Sequence, residues 1–399
     1  MKKLLFSVAN HPAADMAELY QSLASSTIEK LNTQLRVDVI PWEDLWYYVQ
    51  SKSMALSGLD VSEVGTTWLG SLADADALAT LSDDFIQELH GSSRFSEKAW
   101  QPVEHIGGKQ VRFLPFMLDI RMIYYWRDHL EKAGIGEETA FATIENVQET
   151  FAKLRAAGMP GWGAQTFHSN NTLYHISSWI WATGKDYLSK DEKRTAFCEP
   201  EVLEAIRAYF ELASFMDRSF DNHGEVSAAF ERREITACMN GPWVWSALYQ
   251  NRSQTNDVEK IGVALPPGPP FLGGAALMIS NHARGDIIEP AQVLLDILTS
   301  ASAQRRLHDL RGMLPVHREV LNDAPFNSDE NFRAMSNAMS AARYLPSATI
   351  WGPLESSLIR AFGLIWGTLK GGGRNVKPGL LERHLEPLAR RFDRMIEIF

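Results

Sequence analysis

The sequence predicts an α/β fold divided into two lobes, each a sheet covered by helices. The first observation is the opening βαβ pattern: a strand over residues 3–9, an amphipathic helix over 13–32 and a strand over 34–40. The second is size, because 399 residues of which 45% are hydrophobic can fill two cores. Strands that alternate with helices favour a mainly parallel, doubly wound sheet.

Composition indicates a folded, acidic protein with free thiols. Lys and Arg total 39 and Asp and Glu total 49, which gives a net charge of −10. Nucleic acid and anionic membranes are therefore unfavourable partners, whereas small neutral or cationic ligands remain open. Cys198 and Cys238 are predicted to be buried free thiols, and a single disulfide between them stays open as the alternative.

Catalytic and metal-binding motifs are absent from the sequence. It contains no Gly-x-x-x-x-Gly-Lys-Ser/Thr loop, no His-Glu-x-x-His and no Gly-x-Ser-x-Gly. His168 and His175 have no carboxylate or cysteine at metal-ligand spacing. We therefore predict no catalytic residue, no metal and no cofactor. A glycosidase is the enzyme alternative, since it would combine aromatic residues with paired carboxylates such as Glu63 and Asp119.

The first residues raise the question of a leader peptide. Met1-Lys2-Lys3 and the apolar run Leu4–Ala9 resemble a signal peptide superficially, but the run is too short for its apolar region. We interpret the run as the first core strand. Either a leader was removed, which would put the protein in the periplasm or at the cell surface, or the protein is cytoplasmic. No other run is long and apolar enough to span a bilayer.

Polar and aromatic side chains follow the first three predicted strands, the third of which covers residues 60–65. Ligands of open α/β sheets bind at the carboxyl ends of the strands. The candidates at these three strand ends are Asn10, His11, Trp42, Thr66, Thr67 and Trp68, of which the last three are implied as ligand contacts by the family resemblance given below. Trp68 is the preferred one, because the two threonines could instead cap the helix that follows.

The stretch Glu234–Trp245 predicts a short buried strand that turns abruptly into a helix. Asn-Gly permits the turn, and Pro242 suits the first helical position because its fixed φ is already helical. Residues two apart on a helix point about 200° away from one another, so Trp243 and Trp245 cannot share a face. We expect one in the core and one exposed, where its flat face can meet a sugar ring. Packing of both indoles in the core is the alternative.

These motifs, taken in order, resemble the family-1 extracellular solute-binding proteins of ABC transporters, the maltose-binding-protein-like group. The passages that carry the resemblance are Asp60-Val-Ser-Glu-Val-Gly65 with Trp68, Lys132-Ala-Gly134, Asn240-Gly-Pro-Trp-Val-Trp245, Gly273-Gly-Ala-Ala-Leu-Met-Ile279, Gly312-Met-Leu-Pro-Val-His-Arg318 and Trp351. No single passage is diagnostic, but their order spans nearly the whole chain.

The resemblance implies a two-lobed periplasmic-binding-protein-like (type II) fold with the ligand cleft between the lobes. The implied lobes are 1–117 with 271–320, and 118–270 with 321–399. The implied function is binding of a mono- or oligosaccharide by a monomer, which delivers it to the permease subunits of an ABC importer. A cytoplasmic sugar sensor of the same fold is the alternative if Met1 is the native start.

The resemblance also implies roles for particular residues. Trp68, Trp243 and Trp351 would stack on sugar rings, and Asp119 and Arg121 would hold hydroxyl groups. An Asp119–Arg121 salt bridge that ties the chain together is the alternative for the charged pair.

Further ligand candidates come from loops and strand ends. A glycine-rich strand over 158–166 precedes His168 and Asn170, and Trp181 matches an aromatic position for which core packing is the alternative. The remaining candidates are Trp245, Gly273, Gly274 and Arg311. The two glycines would border the ligand or else fit a tight turn.

Overall fold

The structure is a computed structural model that describes residues 1–11, 15–107, 110–167, 170–253 and 257–397. The strands are β1 (Lys2–Ala9), β2 (Thr33–Ile40), β3 (Val61–Gly65), β4 (Phe113–Ile120), β5 (Met122–Trp126), β6 (Trp162–Gly163), β7 (Ala237–Asn240), β8 (Ile261–Ala264), β9 (Leu272–Ile279) and β10 (Leu314–Pro315). The helices of the first half are α1 (Met16–Glu29), α2 (Trp42–Met54), α3 (Leu69–Asp74), α4 (Asp83–Glu88), α5 (Glu97–Gly107), α6 (Arg127–Lys132), α7 (Glu137–Ala140), α8 (Ile144–Ala156) and α9 (Asn170–Ala182). Those of the second half are α10 (Pro200–Glu211), α11 (His223–Glu231), α12 (Trp243–Gln250), α13 (Ile288–Thr299), α14 (Ala301–Arg311), α15 (Arg318–Leu321), α16 (Glu330–Ala338), α17 (Trp351–Gly371) and α18 (Leu380–Ile396).

The chain forms two compact units. Unit 1 consists of Met1–Asp119, Trp245–Ala247 and Gly273–Ser336, and its six-stranded sheet has the order β10-β4-β9-β3-β1-β2. Strand β1 pairs in parallel with β2 and β3, while β9 runs antiparallel to β3 and β10 antiparallel to β4. The sheet is therefore mixed, and the expectation of a mainly parallel sheet is wrong. The reason is that β9 enters from an extended segment rather than through a crossover helix.

The predicted βαβ opening is confirmed, and its helix shows why this sequence folds locally. Asp15 caps α1 by accepting the Glu18 N–H at 3.0 Å. The helix buries Met16, Leu19, Tyr20, Ala24 and Ile28, which lie on one helical face at i, i+3, i+4, i+8 and i+12. The Tyr20 ring meets the Phe6 ring of β1 edge-on at 5.0 Å, so the helix packs directly on the first strand.

Unit 2 consists of Ile120–Val244, Leu248–Leu272 and Asn337–Phe399. Its sheet has the order β6-β7-β5-β8, with β5 antiparallel to both neighbours and β6 parallel to β7. Helices α9, α10 and α17 pack together: Trp366 of α17 lies 5.0 Å from the Phe210 ring of α10 and donates to Thr172 of α9 at 3.1 Å.

One strand differs from the sequence predictions. The predicted strand over 158–166 shortens to β6, where the Gly161 backbone packs against Phe215: a Cβ on Gly161 would lie 1.9 Å from the Phe215 carbonyl oxygen. Residues 321–336 belong to unit 1, where Phe326 and Phe332 pack on the His308 ring.

Both cysteines are free thiols, as predicted. Cys238 is buried in β7, but the burial predicted for Cys198 is wrong, because that residue is half-buried in the loop before α10. Burial raises the pKa of both thiols, that of Cys198 to about 12. Among the helices in the described part of the chain, none has both the length and the apolar character needed to cross a bilayer.

Candidate functional site

One edge of the unit 1 sheet gathers the residues predicted at the first three strand ends. Because β2, β1 and β3 are adjacent and parallel, their carboxyl ends lie side by side. Asn10 is exposed there, where its N–H donates to the Ile40 carbonyl at 2.8 Å, and His11 follows it. Trp42 begins α2, and Thr66–Trp68 forms a single 3-10 turn after β3.

Three indoles pack together at this edge. Trp68 stacks on Trp42 with ring centroids 4.9 Å apart and an interplanar angle of 25°, and Trp46 lies 5.5 Å from Trp68. The Trp68 and Trp42 rings lie over Gly65, where a Cβ would be 3.1 Å from Trp68 and 3.4 Å from Trp42. Trp46 was missed by the sequence reasoning. Its position four residues after Trp42 on one helix is the signal that could have found it.

The remaining unit 1 candidates lie at the same edge. Thr66 and Thr67 do not cap α3, because that helix begins at Leu69 and has Trp68 as its N-cap residue. The start of β9 reaches this edge because Ala275 pairs with Gly65. Gly274 has φ +132°, and a Cβ there would lie 2.0 Å from the Met117 carbonyl oxygen of β4. The close packing of β9 against β4 therefore explains why position 274 is a glycine with this conformation.

Gly273 precedes that position and is buried, and Asp119, near the end of β4, is 6% exposed. These residues are therefore held inside the packing of unit 1.

Arg311 is part of a buried ion pair in unit 1. It donates to both carboxylate oxygens of Glu63, at 2.7 and 3.0 Å, and to the Tyr20 hydroxyl at 3.0 Å. Glu63 is 0% exposed and Arg311 is 7% exposed. Burial by itself would lower the pKa of Arg311, but Glu63 and Tyr20 raise it overall, so the guanidinium stays charged. Arg311 thus binds protein groups rather than facing solvent, and Glu63 is enclosed, which removes it as a glycosidase carboxylate.

One edge of the unit 2 sheet collects the second group of candidates. Met122 pairs with Asn240 in the antiparallel β5–β7 ladder, and Gly163 pairs with Cys238 in the parallel β6–β7 ladder. The start of β5 and the ends of β6 and β7 therefore lie at the same edge. Arg121 precedes β5 there.

Arg121 is the centre of this edge and is 3% exposed. Its guanidinium lies 4.8 Å from the centroid of the Trp243 ring and 5.4 Å from that of Tyr174, and it donates to the Asn171 side-chain oxygen at 2.7 Å. Tyr174 stacks on Phe271 at 4.2 Å with an interplanar angle of 4°. We define the Arg121 cluster as Arg121, Asn171, Tyr174, Trp243 and Phe271. A guanidinium between aromatic faces offers directed N–H donors beside flat apolar surfaces.

The two tryptophans of α12 have different surroundings, as expected from their spacing. Trp245 is 5% exposed and its indole N–H donates to Asp329 at 2.8 Å, so it is a packing residue. Trp243 is partly exposed, and its ring folds back over Gly241, where a Cβ would lie only 2.1 Å from the indole. Glycine is required at that corner because the ring occupies the space of a side chain.

Two other predicted aromatic contacts are enclosed. Trp351 is 2% exposed and meets Tyr187 edge-on at 5.3 Å, so its ring is enclosed in this structure. Trp181 is 3% exposed, with the Arg343 guanidinium 5.0 Å from its ring. Both fit the core-packing reading, because α9 and α17 bury their apolar faces against each other.

The loop candidates after β6 are only partly described. Asn170 begins α9 and donates to the Tyr174 hydroxyl at 3.2 Å, which links it to the Arg121 cluster. His168 lies outside the described residues. Asn171 and Tyr174 were missed by the sequence reasoning, although their spacing of three on a helix places them on one face.

A neutral histidine lies next to the Arg121 cluster. His175 is 4% exposed, and its Nδ1 lies 3.2 Å from the Tyr209 hydroxyl. Burial, helped by the positive charge of Arg121, holds the pKa of His175 well below its usual 6.5. The Arg121 cluster therefore offers a ligand hydrogen-bonding groups and aromatic ring faces. Within the residues that the structure describes, no three His, Cys, Asp or Glu side chains lie close enough together to hold a metal ion.

Comparison with known proteins gives a consistent picture. A sequence profile described as bacterial extracellular solute-binding protein matches residues 24–334. A binding protein of Brucella abortus (strain 2308) is 25% identical over 333 residues, which cover 79% of this chain and 77% of that relative.

Two solved structures are similar over nearly their full length. An ABC transporter solute-binding protein from Thermotoga lettingae TMO, bound with α-D-tagatose, has a TM-score of 0.81 at 18% identity and covers 99% of this chain and 100% of that one. Maltose-bound MalE3 of T. maritima has a TM-score of 0.79 at 18% identity and covers 97% and 99% of the two chains. Similarity of this kind establishes the fold and confirms the predicted α/β periplasmic-binding-protein class.

Proposed function

Because the chain belongs to the family of bacterial extracellular solute-binding proteins, we propose that it binds a small carbohydrate and delivers it to an ABC importer. Proteins of this family bind solutes and do not transform them, so the chain is a binding protein and not an enzyme. The finer assignment, to a carbohydrate, comes from the chemistry of the two sheet edges and from the proteins that share the fold.

The observation that carries the proposal is the contact of Arg121 with Trp243, 4.8 Å from guanidinium carbon to ring centroid. A sugar ring has apolar C–H faces and a rim of hydroxyl groups. The partly exposed indole of Trp243 suits contact with the C–H faces. The N–H donors of Arg121 and the amide of Asn171 suit hydrogen bonds to the hydroxyl groups. We propose these three residues as the carbohydrate contacts of unit 2.

Unit 1 contributes a second aromatic group to the proposal. Trp68 and Trp42 are stacked at a strand edge whose geometry favours ligand binding in α/β sheets. Trp42 is partly exposed, whereas Trp68 is 8% exposed. We propose that Trp42 makes the ring contact and that Trp68 supports it from beneath.

The relatives support a carbohydrate over other solutes. The T. lettingae protein is bound with α-D-tagatose and the T. maritima protein with maltose. At 18% identity these proteins support the class of ligand and not its identity.

The proposal includes partners and location. An extracellular solute-binding family favours action outside the cytoplasm, in the periplasm or at the cell surface, with transporter permeases as partners. The net charge of −10 argues against nucleic acid as a partner. We propose that the protein works as a monomer, which sedimentation of the purified protein would check.

The test is isothermal titration calorimetry with maltose, tagatose and a panel of other mono- and oligosaccharides, first ranked by thermal shift. Trp243→Ala should weaken binding of the best carbohydrate by about tenfold or more, since an aromatic face and its contact with Arg121 are both lost. The matched control is Tyr249→Ala, which removes another ring of α12 that lies 4.2 Å from a guanidinium, that of Arg252 just after the helix.

Equal affinity of the wild type and Trp243→Ala would contradict the assignment of the site. Absence of binding across the whole panel, in a protein that melts cooperatively, would contradict the carbohydrate proposal itself.

A further inference from the structure

The pairing of β1 with β3 is short, and side-chain carboxylates flank it on both sides. The register covers only Phe6 with Val61 and Ser7 with Ser62, whereas β1 pairs with β2 along all eight of its residues. Just before the short register, the Leu5 N–H donates to the Asp60 carboxylate at 2.9 Å. Beyond it, the Ala9 N–H donates to the Glu63 carboxylate at 3.1 Å.

The hydrogen bond between Ala9 and Glu63 lies where the order in which the chain adds strands to the sheet reverses. The chain passes from β1 through α1 to β2 on one side, and then through α2 to β3 on the other side of β1. In doubly wound sheets the ligand crevice lies at the carboxyl ends of the two strands on either side of such a switch point. The Glu63 carboxylate occupies the gap between β1 and β3 at that end.

Glu63 is held in this gap by Arg311 and is shielded from solvent. Arg311, the last residue of α14, donates to both carboxylate oxygens of Glu63. Its guanidinium also donates to the hydroxyl of Tyr20 in α1. A bidentate pair of this kind fixes position and direction as well as distance. Since Glu63 is 0% exposed, it cannot touch a ligand itself.

We propose that the Glu63–Arg311 pair is a wedge that sets the spacing of the carboxyl ends of β1 and β3 and thereby positions Asn10 and Thr66–Trp68. The part that concerns carbohydrate affinity rests on the proposed function, while the spacing of the strands does not. Glu63 and Arg311 are positioning residues: a change in either moves the groups at the strand ends without removing a ligand contact.

The first experiment needs no ligand and measures amide hydrogen exchange by NMR. Glu63→Gln should speed exchange of the Ala9 amide by about tenfold or more, because a charge-assisted hydrogen bond is lost, and should leave Leu5 unchanged. The matched control Asp60→Asn, just before β3 and at the opposite end of the β1–β3 pairing, should speed exchange of Leu5 and leave Ala9 unchanged. Unchanged exchange of Ala9 in Glu63→Gln overturns the wedge.

The second experiment measures affinity for maltose and tagatose by calorimetry. Glu63→Gln should weaken binding by about tenfold, one charge-assisted bond, whereas Asp60→Asn should change it by less than about twofold. Equal losses in the two variants would indicate general destabilisation and would overturn the positioning role. If the wild type binds neither sugar, the proposed function fails, and the exchange experiment still decides on the wedge.

A double variant separates positioning from stability. Removal of one partner leaves a buried charge uncompensated, whereas replacement of both by apolar residues is often neutral or stabilising. Glu63→Leu with Arg311→Met should therefore melt at a higher temperature than Glu63→Leu alone and still bind at least about fivefold more weakly than the wild type, because the Ala9 N–H has lost its acceptor. Recovery of wild-type affinity together with wild-type melting would show that the pair only stabilises the core.

Discussion

The Trp243 ring lies directly over Gly241, close enough that a Cβ on the glycine would be 2.1 Å from the indole. The same relationship occurs in unit 1, where the Trp68 ring covers Gly65. In each unit a glycine at the end of a strand (Gly65) or directly after one (Gly241) thus leaves room for an indole. The backbone at the strand ends thus holds Trp243, which is partly exposed, and Trp68, which stacks beneath Trp42.

Gly65→Ala should disturb the indoles without straining the backbone. Gly65 has φ −67° and ψ 140°, which any residue adopts, so the only conflict is with the rings 3.1 to 3.4 Å away. We expect a changed near-UV circular dichroism spectrum from Trp42 and Trp68, and destabilisation of roughly 1 kcal/mol. The control is Gly367→Ala, in α17, where a Cβ meets nothing within 4 Å. A wild-type near-UV spectrum in Gly65→Ala would argue against the stacked arrangement.

Gly274→Ala should destabilise unit 1 by about 3 kcal/mol, because it combines a left-handed φ with a backbone clash. The residue has φ +132°, and the new Cβ would lie 2.0 Å from the Met117 carbonyl oxygen. Gly285→Ala, where the added carbon meets nothing within 4 Å, is the control. Differential scanning calorimetry measures both, and a melting temperature within a degree of the wild type for Gly274→Ala would refute the predicted clash.

Arg121→Gln should weaken carbohydrate binding by about tenfold, through the loss of hydrogen-bond donors and of the cation–π contact with Trp243. Arg252→Gln serves as the control, since it removes a guanidinium that lies over Tyr249 on α12. Calorimetric titration with the best carbohydrate from the panel gives both affinities. Equal losses of carbohydrate affinity in the two variants would show that Arg121 has no specific role in binding.

Stability should fall as the pH drops below 6.5, in part because of His175. Burial and the charge of Arg121 depress the folded-state pKa of His175, while the unfolded chain keeps the ordinary 6.5. Below that pH the unfolded chain binds a proton at His175 that the folded protein does not bind. The free energy of unfolding therefore falls by up to about 1.4 kcal/mol per pH unit. Burial lowers the pKa of His308 as well, so it contributes in the same direction.

His175→Gln should therefore flatten the dependence of melting temperature on pH between 7.5 and 5.5, measured by calorimetry. His282→Gln, at an exposed position, is the control. An unchanged slope in His175→Gln would mean that the buried imidazole takes up its proton as readily folded as unfolded.

Local pattern was sufficient to predict part of the fold and site. The alternation of apolar residues in the strands and the amphipathic pattern of the helix specified the βαβ opening, because such signals depend on neighbours in sequence. The same reasoning put Asn10, Trp42 and Trp68 at strand ends, where the structure brings them to one edge. The spacing of Trp243 and Trp245 on one helix was enough to separate their environments.

Other features depended on partners distant in sequence. Arg311 was a candidate for ligand contact until the structure paired it with Glu63, 248 residues away. Trp351 could not be distinguished from an exposed indole until Tyr187 was found against it. Pattern cannot reveal such neighbours, because long-range packing leaves no local trace.

The sequence by itself determined which residues lie at strand ends and on helix faces, since backbone geometry fixes those positions within a few residues. Only the tertiary structure decided the direction of β9 and which charged and aromatic side chains are enclosed. The physical reason is that burial and ion pairing depend on what the rest of the chain places alongside, and a strand of either direction satisfies the same local hydrogen-bonding groups.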